Sequence, residues 1–293
     1  MNREFSTRNS LELYYEHLQV IILSEEVARD GIEDIMDFFG RDPEMRRRVK
    51  VFVCPDQAKS ILDVQPRIED YSSIYLAKLL MNADKTSRMV HRSDLGEIIN
   101  RMHAGYDFLL AAVYATKDEI KTSGAAVFKN RRMVGWINGI EVESIKFMVG
   151  TFLGGVIPIR APDDEDGIIT IEVTKAKSSI TPIISDDMLK FRIEVNIEAN
   201  YAEDINMHTH AEIDSKFLER LEDDFSRHIE ENCMKTAKRL QEYGADVMML
   251  KRILETKKPE YWEEISNSWE EIYPNARIEV VADVDIMLQG IVR

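Results

Sequence analysis

Strict alternation of apolar and polar residues marks two stretches of the C-terminal third. Phe191, Ile193, Val195, Ile197 and Ala199 alternate with Arg192, Glu194, Asn196 and Glu198. Ile278, Val280, Ala282, Val284, Ile286 and Leu288 alternate with Glu279, Val281, Asp283, Asp285 and Met287. A period of two predicts strands with one face buried and the other wetted. Between them the period becomes helical. From Asp214 to Tyr243 the apolar stripe is Phe217, Leu221, Phe225, Ile229, Cys233, Ala237 and Leu240, and Gly244 supplies a stop. Pro259 opens a further helix with Tyr261, Trp262, Ile265, Trp269 and Ile272 as its apolar positions. This order predicts a sheet of long antiparallel strands with helices packed on one face.

The first half carries shorter elements. His17 to Leu23 (HLQVIIL) is a compact apolar run, predicted as a buried strand, with Ser24 as the N-cap of a helix. Ile32, Ile35, Met36 and Phe39 give that helix its stripe, and Gly40 is its expected stop. Asp42-Pro43 is expected to start a short helix. Val49, Val51 and Val53 alternate with Lys50 and Phe52 as a second strand, and Asp56 is expected to cap a helical stretch through Leu62. Helical patterns recur over 74–81 and 94–102, and a strand over 108–115. A hairpin over 125–129 and 133–137 turns near Asn130-Arg131, and an amphipathic helix follows over 141–149. Gln65-Pro66 and Gly154-Gly155 are the expected boundaries. They divide an α+β chain into three consecutive domains: an N-terminal α/β domain over 1–66, a middle α+β domain over 67–155, and the C-terminal sheet with helices over 156–293.

Composition changes the picture chiefly through charge. Of 293 residues, 44% are hydrophobic and 31% charged, which is globular rather than disordered. No apolar run reaches the ~18–20 residues that cross a bilayer, and no leader peptide opens the sequence as written. The net charge is −15, of which residues 157–293 hold 17 basic and 30 acidic residues, a balance of −13. Phosphate backbones and anionic headgroups repel such a half. Nucleic acid is therefore not expected as a partner, and membrane contact is expected, if anywhere, in the near-neutral N-terminal half.

The search for chemistry returns weak candidates. His208 and His210 are the one histidine pair; in a strand they would share a face and could hold a metal with Glu203, Glu212 or Asp214. No H-E-x-x-H accompanies them, so a polar loop is the expected reading. Asp163-Asp164-Glu165-Asp166-Gly167 fails the EF-hand register and reads better as a hairpin turn at Asp166-Gly167. Neither P-loop, G-x-S-x-G nor G-x-G-x-x-G occurs. Cys54 and Cys233 are too few for a disulfide scaffold and read as small core hydrophobes. Glu263-Glu264 and Glu270-Glu271 read as a solvated helix face. Trp136, Trp262 and Trp269 read as core. Arg46-Arg47-Arg48 with Lys50, and Lys129 with Arg131-Arg132, read as solvated edges. No catalytic, cofactor-binding or metal residue is assigned, no cofactor is expected, and the ligand-binding residues are left open.

Three stretches resemble a known family. The first is His17-Leu-Gln-Val-Ile-Ile-Leu-Ser-Glu-Glu26 with Phe38-Phe-Gly-Arg-Asp-Pro-Glu44. The second is Gly124-Ala-Ala-Val-Phe-Lys129 with Met133-Val-Gly-Trp136 and Glu141. The third runs from Gln241 through Gly244-Ala-Asp-Val247, Pro259-Glu-Tyr-Trp262 and Trp269 to the terminal strand and Gly290. In order and spacing they resemble the C subunit of bacterial spore germinant receptors, the GerAC-like germination lipoproteins.

The resemblance implies a three-domain α+β lipoprotein without enzymatic activity. A diacylglycerol-modified cysteine would hold it on the outer surface of the spore inner membrane, where it acts with membrane A and B subunits. It also implies a signal peptide, a lipidated cysteine and further strand-rich residues before His17, which the chain as written lacks. Cys54 follows a strand inside the first domain and is not the anchor. Met1 is therefore expected to begin a shortened form. The expected function is that of a non-catalytic scaffold or coupling subunit. The alternatives are an extracytoplasmic module that senses the nutrient through a pocket at a domain boundary, and a metal-dependent hydrolase built on His208 and His210.

Overall fold

A computed structural model describes residues 15–41, 45–84, 86–90, 93–162, 164–185, 188–205 and 214–288. The expected helix at Asp42-Pro43, His208, His210 and Glu212 lie outside the described residues, as does Gly290.

The first apolar run forms β1 (Val20–Ser24), followed by α1 (Glu25–Asp30) and α2 (Glu33–Arg41). The Ser24 hydroxyl caps α1 by accepting from Val27 N at 3.4 Å. The single helix expected here is broken at Gly31, whose φ of +128° ends α1, and Gly40 lies inside α2 rather than stopping it. Packing selects Gly40, because a Cβ there would meet Ile99 Cδ1 at 2.8 Å. Next come β2 (Lys50–Cys54), α3 (Ala58–Asp63), α4 (Ser72–Met81) and α5 (Leu95–His103). Gln57, not Asp56, precedes α3, whereas Asp94 does cap α5 through Glu97 N. The strands β3 (Phe108–Ala115), β4 (Ile120–Lys129) and β5 (Arg132–Ile137) complete a sheet ordered β1-β2-β3-β4-β5. Its first three strands run parallel and its last three antiparallel. Asn130 and Arg131 turn the hairpin at φ +47° and +67°, the geometry that a two-residue type I′ turn demands.

Helices cover both faces of this sheet. Ile21, Leu23, Val51 and Val53 pack with Ile32, Met36, Leu95 and Ile98 on one side. Val20, Phe52 and Cys54 pack with Ile61, Leu76 and Leu80 on the other. Strand β2 is consequently buried on both faces, against the alternation expected of it. The division drawn at residue 66 falls between β2 and β3, which pair through Phe52 with Ala111 and Val53 with Ala112, so the sheet runs across it.

Next comes α6 (Gly139–Val149), with Asn138 and Glu141 forming a capping box and Gly150 in the left-handed C-cap position. Expected to be amphipathic, α6 is buried over Gly139 and Val142 to Met148. It packs between β4 of the first sheet and the second sheet, whose strands begin with β6 (Gly155–Ala161), β7 (Asp164–Ser185) and β8 (Met188–Ile205). A helical crossover of α7 (Ser215–Glu242), α8 (Leu250–Lys257), α9 (Pro259–Ile265) and α10 (Trp269–Ile272) leads to β9 (Arg277–Leu288). The order is β6-β7-β8-β9, antiparallel except that β9 lies parallel to β8, as a crossover connection requires. Asp166-Gly167 lie within β7, because the hairpin closes between Ala161 and Asp164. The helix expected from Pro259 is interrupted by a 3₁₀ turn at Ser266–Ser268.

Alternation in β8, and in β9 as far as Ile286, is as expected, whereas Leu288 is exposed, and every residue of the α7 stripe is buried. The α7 helix also covers the edge of β9. Glu230 Oε1 accepts from Ala282 N at 2.9 Å and Glu222 Oε1 from Ile286 N at 2.8 Å. Eight helical residues rise about 12 Å and four strand residues about 13 Å, so the two carboxylates meet alternate outward amides of the strand. One apolar core runs from Val20 and Phe52 through α6 to Phe191 and Ile286, tying the two sheets together.

Candidate functional site

Among the described residues, those singled out for chemistry lie apart from one another. Asp214 is the N-cap of α7, accepting from Phe217 N at 2.8 Å, and Glu203 lies near the end of β8. Among the described residues, no group of three or more His, Cys, Asp or Glu side chains is placed to hold a metal. Cys54 closes β2, buried, with Sγ 3.2 Å from Asp56 O, and burial pushes its thiol up. Cys233 sits under α6, 3.6 Å from Ser144 O, and burial pushes it up to about 12. Both remain protonated thiols at neutral pH, as core side chains do. Trp269 is buried against Phe191, Trp262 and Tyr273. Trp136 is half-buried and donates Nε1 to Glu25 Oε2 at 2.9 Å. The basic hairpin tip is not simply solvated: Lys129 pairs with Glu270 and Arg131 with Glu33. Glu270 of the expected wet face thus makes a contact between the two halves.

Polar groups concentrate instead along the seam between the sheets. Asp107 precedes β3 and Asp246 follows α7. Asp246 N donates to Asp107 Oδ2 at 2.8 Å, which pins one half to the other. The Asp246 carboxylate accepts from Leu250 N and Lys251 N at 2.8 and 2.9 Å and so caps α8. Burial pushes Asp107 up, with the Asp246 and Asn130 amides opposing and the charge of Glu270 adding; burial likewise pushes Asp246 up to about 7, with the Lys251 and Leu250 amides opposing and the charge of Asp107 adding. Lys251 lies 5.1 Å from the Tyr106 ring centroid and donates to Gly105 O. Tyr273 OH donates to Ala245 O at 3.0 Å, and Tyr243 OH to Trp136 O at 3.1 Å. At Gly135 a Cβ would lie 2.4 Å from the Tyr243 ring, so glycine lets that ring close over β5.

A second cluster clamps α6. Lys146 Nζ donates to Ala83 O at 3.2 Å and Thr86 O at 2.9 Å. Burial pushes Glu143 up, against a hydrogen bond to Ser87 and the charges of Arg88 and Lys146. Ser93 then splices β2 to β3, its hydroxyl donating to Val51 O at 2.5 Å and accepting from Ala111 N at 3.1 Å. Beyond that splice the strands part, and a cavity of about 410 Å³ opens between α5, α6 and the start of β3. Val90, Ile98, Phe108, Val142, Ile145 and Val247 make its walls, with Glu97, Arg101, Lys146 and Thr151 as its polar groups. Asp246 falls in the Gly244-Ala-Asp-Val247 stretch, where no role was assigned to it, and none of Asp107, Glu143, Lys146 or Arg101 follows from a motif. The available signal is a charge inside an apolar run, as in Gly244-Ala-Asp-Val-Met-Met, where a buried acid must find backbone donors.

Comparison with known proteins identifies the family. The family model described as spore germination B3/GerAC like, C-terminal, matches residues 123–290. The model described as spore germination protein N-terminal domain matches residues 1–114. Spore germination protein YndF of Bacillus subtilis (strain 168) is 29% identical over 294 residues, spanning 99% of this chain and 72% of its own length. Spore germination protein A3 of the same organism is 29% identical over 92% of this chain and 73% of its own, and B3 is 27% identical over 89% and 70%. The crystal structure of the GerBC protein superimposes with a TM-score of 0.75 at 23% identity, covering 97% of this chain and 83% of that one, which shows the common α+β fold. The chain belongs to the GerAC-like family of spore germination proteins, the germinant receptor C subunits to which its three ordered motifs are similar.

Proposed function

We propose that this protein is a non-catalytic subunit of a nutrient germinant receptor, coupling membrane-embedded A and B subunits so that a nutrient triggers germination. The observation that carries this reading is the match of two family models in succession along the chain, over 1–114 and 123–290. The relatives named for spore germination align over most of their own length. In this role the protein sits on the outer surface of the spore inner membrane, held there by an N-terminal diacylglycerol anchor. Two acyl chains at about 0.8 kcal/mol per buried CH₂ hold firmly without an apolar protein face. The residues balanced at −13 then point away from anionic headgroups, and the near-neutral half lies toward them. The continuous core and the charged seam support transmission between partners, because a packed core moves as a body rather than absorbing strain locally.

Complementation tests the reading. Spores lacking the gene are supplied with a lipidation-competent full-length form alongside unaltered A and B subunits, and germination with nutrient is followed by loss of optical density. Restoration is expected. Germination no better than in the deletion strain ends the proposal. Crosslinking from single cysteines placed at exposed Ile68, Leu153 and Met188 is expected to capture the partner subunits and to locate their docking faces.

A further inference from the structure

Beyond the coupling role, and independently of it, we propose that the cavity between α5 and α6 is a binding site for a small apolar carboxylate, with Arg101 as the residue that recognises the acid group. Its volume of about 410 Å³ falls within the roughly 300–1,000 Å³ of small-molecule sites. Val90, Ile98, Phe108 and Val142 pack closely behind it, and its accessible apolar surface comes from half-buried Leu109 and Val149 and from Leu153, 59% exposed. These surfaces are complementary to a hydrocarbon body and lack the polar density that a sugar or nucleotide needs.

The charges select the head group. Arg101 and Lys146 face the cavity against one carboxylate, Glu97, so the rim favours an anion. Lys146 is held toward the carbonyls of Ala83 and Thr86, which leaves Arg101 as the group positioned to meet a ligand. Glu97 Oε1 accepts from Arg101 Nε at 2.8 Å, fixing the guanidinium from one side along the same helix. The amino nitrogens of a guanidinium fixed in this way match the two oxygens of a carboxylate. A cation would instead be drawn to the C-terminus of α6, which also reaches the cavity, but that end is closed. Gly150 N–H donates to Phe147 O and Thr151 N–H to Lys146 O, so the last turn is capped. The site lies where the β2–β3 pairing gives way to the Ser93 splice, and its walls come from β3 and α5 on one side and from α6 and Val247 on the other. An occupant would therefore touch both halves of the molecule.

Isothermal titration of the whole chain with hexanoate and benzoate, with hexylamine and 1-hexanol as isosteric controls, tests the site. Both acids are expected to bind and the amine not to. Arg101→Gln is expected to weaken the acids roughly tenfold or more, Arg101→Lys less, as loss of a charge-assisted hydrogen bond does. Thr151→Trp, at an exposed rim position, is expected to abolish binding while thermal unfolding shows the fold intact. Three outcomes overturn the proposal: no binding of either acid at millimolar concentration, equal binding of amine and acid, or acid binding that Thr151→Trp leaves unchanged.

Discussion

Strands β2 and β8 are both rich in β-branched and aromatic residues, and they bury them differently. In β2 the side chains of Val51, Phe52 and Val53 are all inside, because helices lie on both faces of the first sheet. In β8 Phe191, Ile193, Val195 and Ile197 are inside while Arg192, Glu194, Asn196 and Glu198 are in water. The first sheet is a parallel α/β layer extended by an antiparallel hairpin. The second is a sheet of long strands with one dry face and a helix guarding its edge. Residue pattern therefore carries topological information only where one face remains wet. The buried helix α6 is the element that both sheets share, and it too has lost the periodicity of a surface helix.

Core truncation and parity give the sharpest way to break this contrast. Phe52→Ala and Phe191→Ala should each cost about 3–5 kcal/mol. The neighbouring positions should separate the sheets: Val51→Ala is expected to cost about 2 kcal/mol, whereas Arg192→Ala should stay within about 0.5 kcal/mol. Urea unfolding of the four variants measures this, and equal losses at positions 51 and 192 would remove the distinction.

The seam between the sheets should respond to pH through Asp246. Its carboxyl is held up to about 7 from an ordinary 3.8, so the folded state binds more protons than the unfolded state across that window. Stability should be greatest below the unfolded value, fall as pH rises from about 3.8 to about 7, and level off above. Asp246→Asn, which keeps an acceptor for the α8 amides, should flatten the profile. The difference between wild type and variant in urea midpoint, read every half unit from pH 4.5 to 8, isolates this group from the other carboxylates. A variant profile parallel to that of wild type would mean that the seam does not titrate there.

The guarded edge should give a smaller loss of stability than core truncation. Glu222→Ala and Glu230→Ala each remove a charged acceptor from a strand amide, at about 1.5 kcal/mol apiece. The freed edge of β9 should then pair between molecules. Sedimentation velocity at rising concentration would reveal the association, and a double variant that stays monomeric would show that α7 shields the edge by bulk alone.

Strands β8 and β9 were legible because their wet face wrote the alternation into the chain, though not that β9 lies parallel to β8, and the 28-residue helix α7 was legible because its stripe is continuous. Less was readable in the first half. Gly40 looks like a stop and is a packing contact, since only the approach of Ile99 reveals why a side chain is excluded. Asp56 has the chemistry of a cap and lies one residue too early. The candidate cavity had no sequence signature, because Glu97 and Arg101 resemble any surface i, i+4 pair until α6 is set opposite them. The same holds for Lys129 and Glu270, which are 141 positions apart and read as two wet surfaces.

Sequence alone determined the α+β class, the dry and wet faces of β8 and β9, the cap at Ser24, and the family to which three ordered motifs are similar. These depend on contacts within a few residues, or on a solvent boundary repeated along an element. Only the tertiary structure decided that β2 and β3 part around Ser93, that α6 lies buried between two sheets, and that Asp107 and Asp246 meet. Those features arise from residues distant in the chain whose charges and volumes acquire a cost or a partner only once packing has removed water from between them.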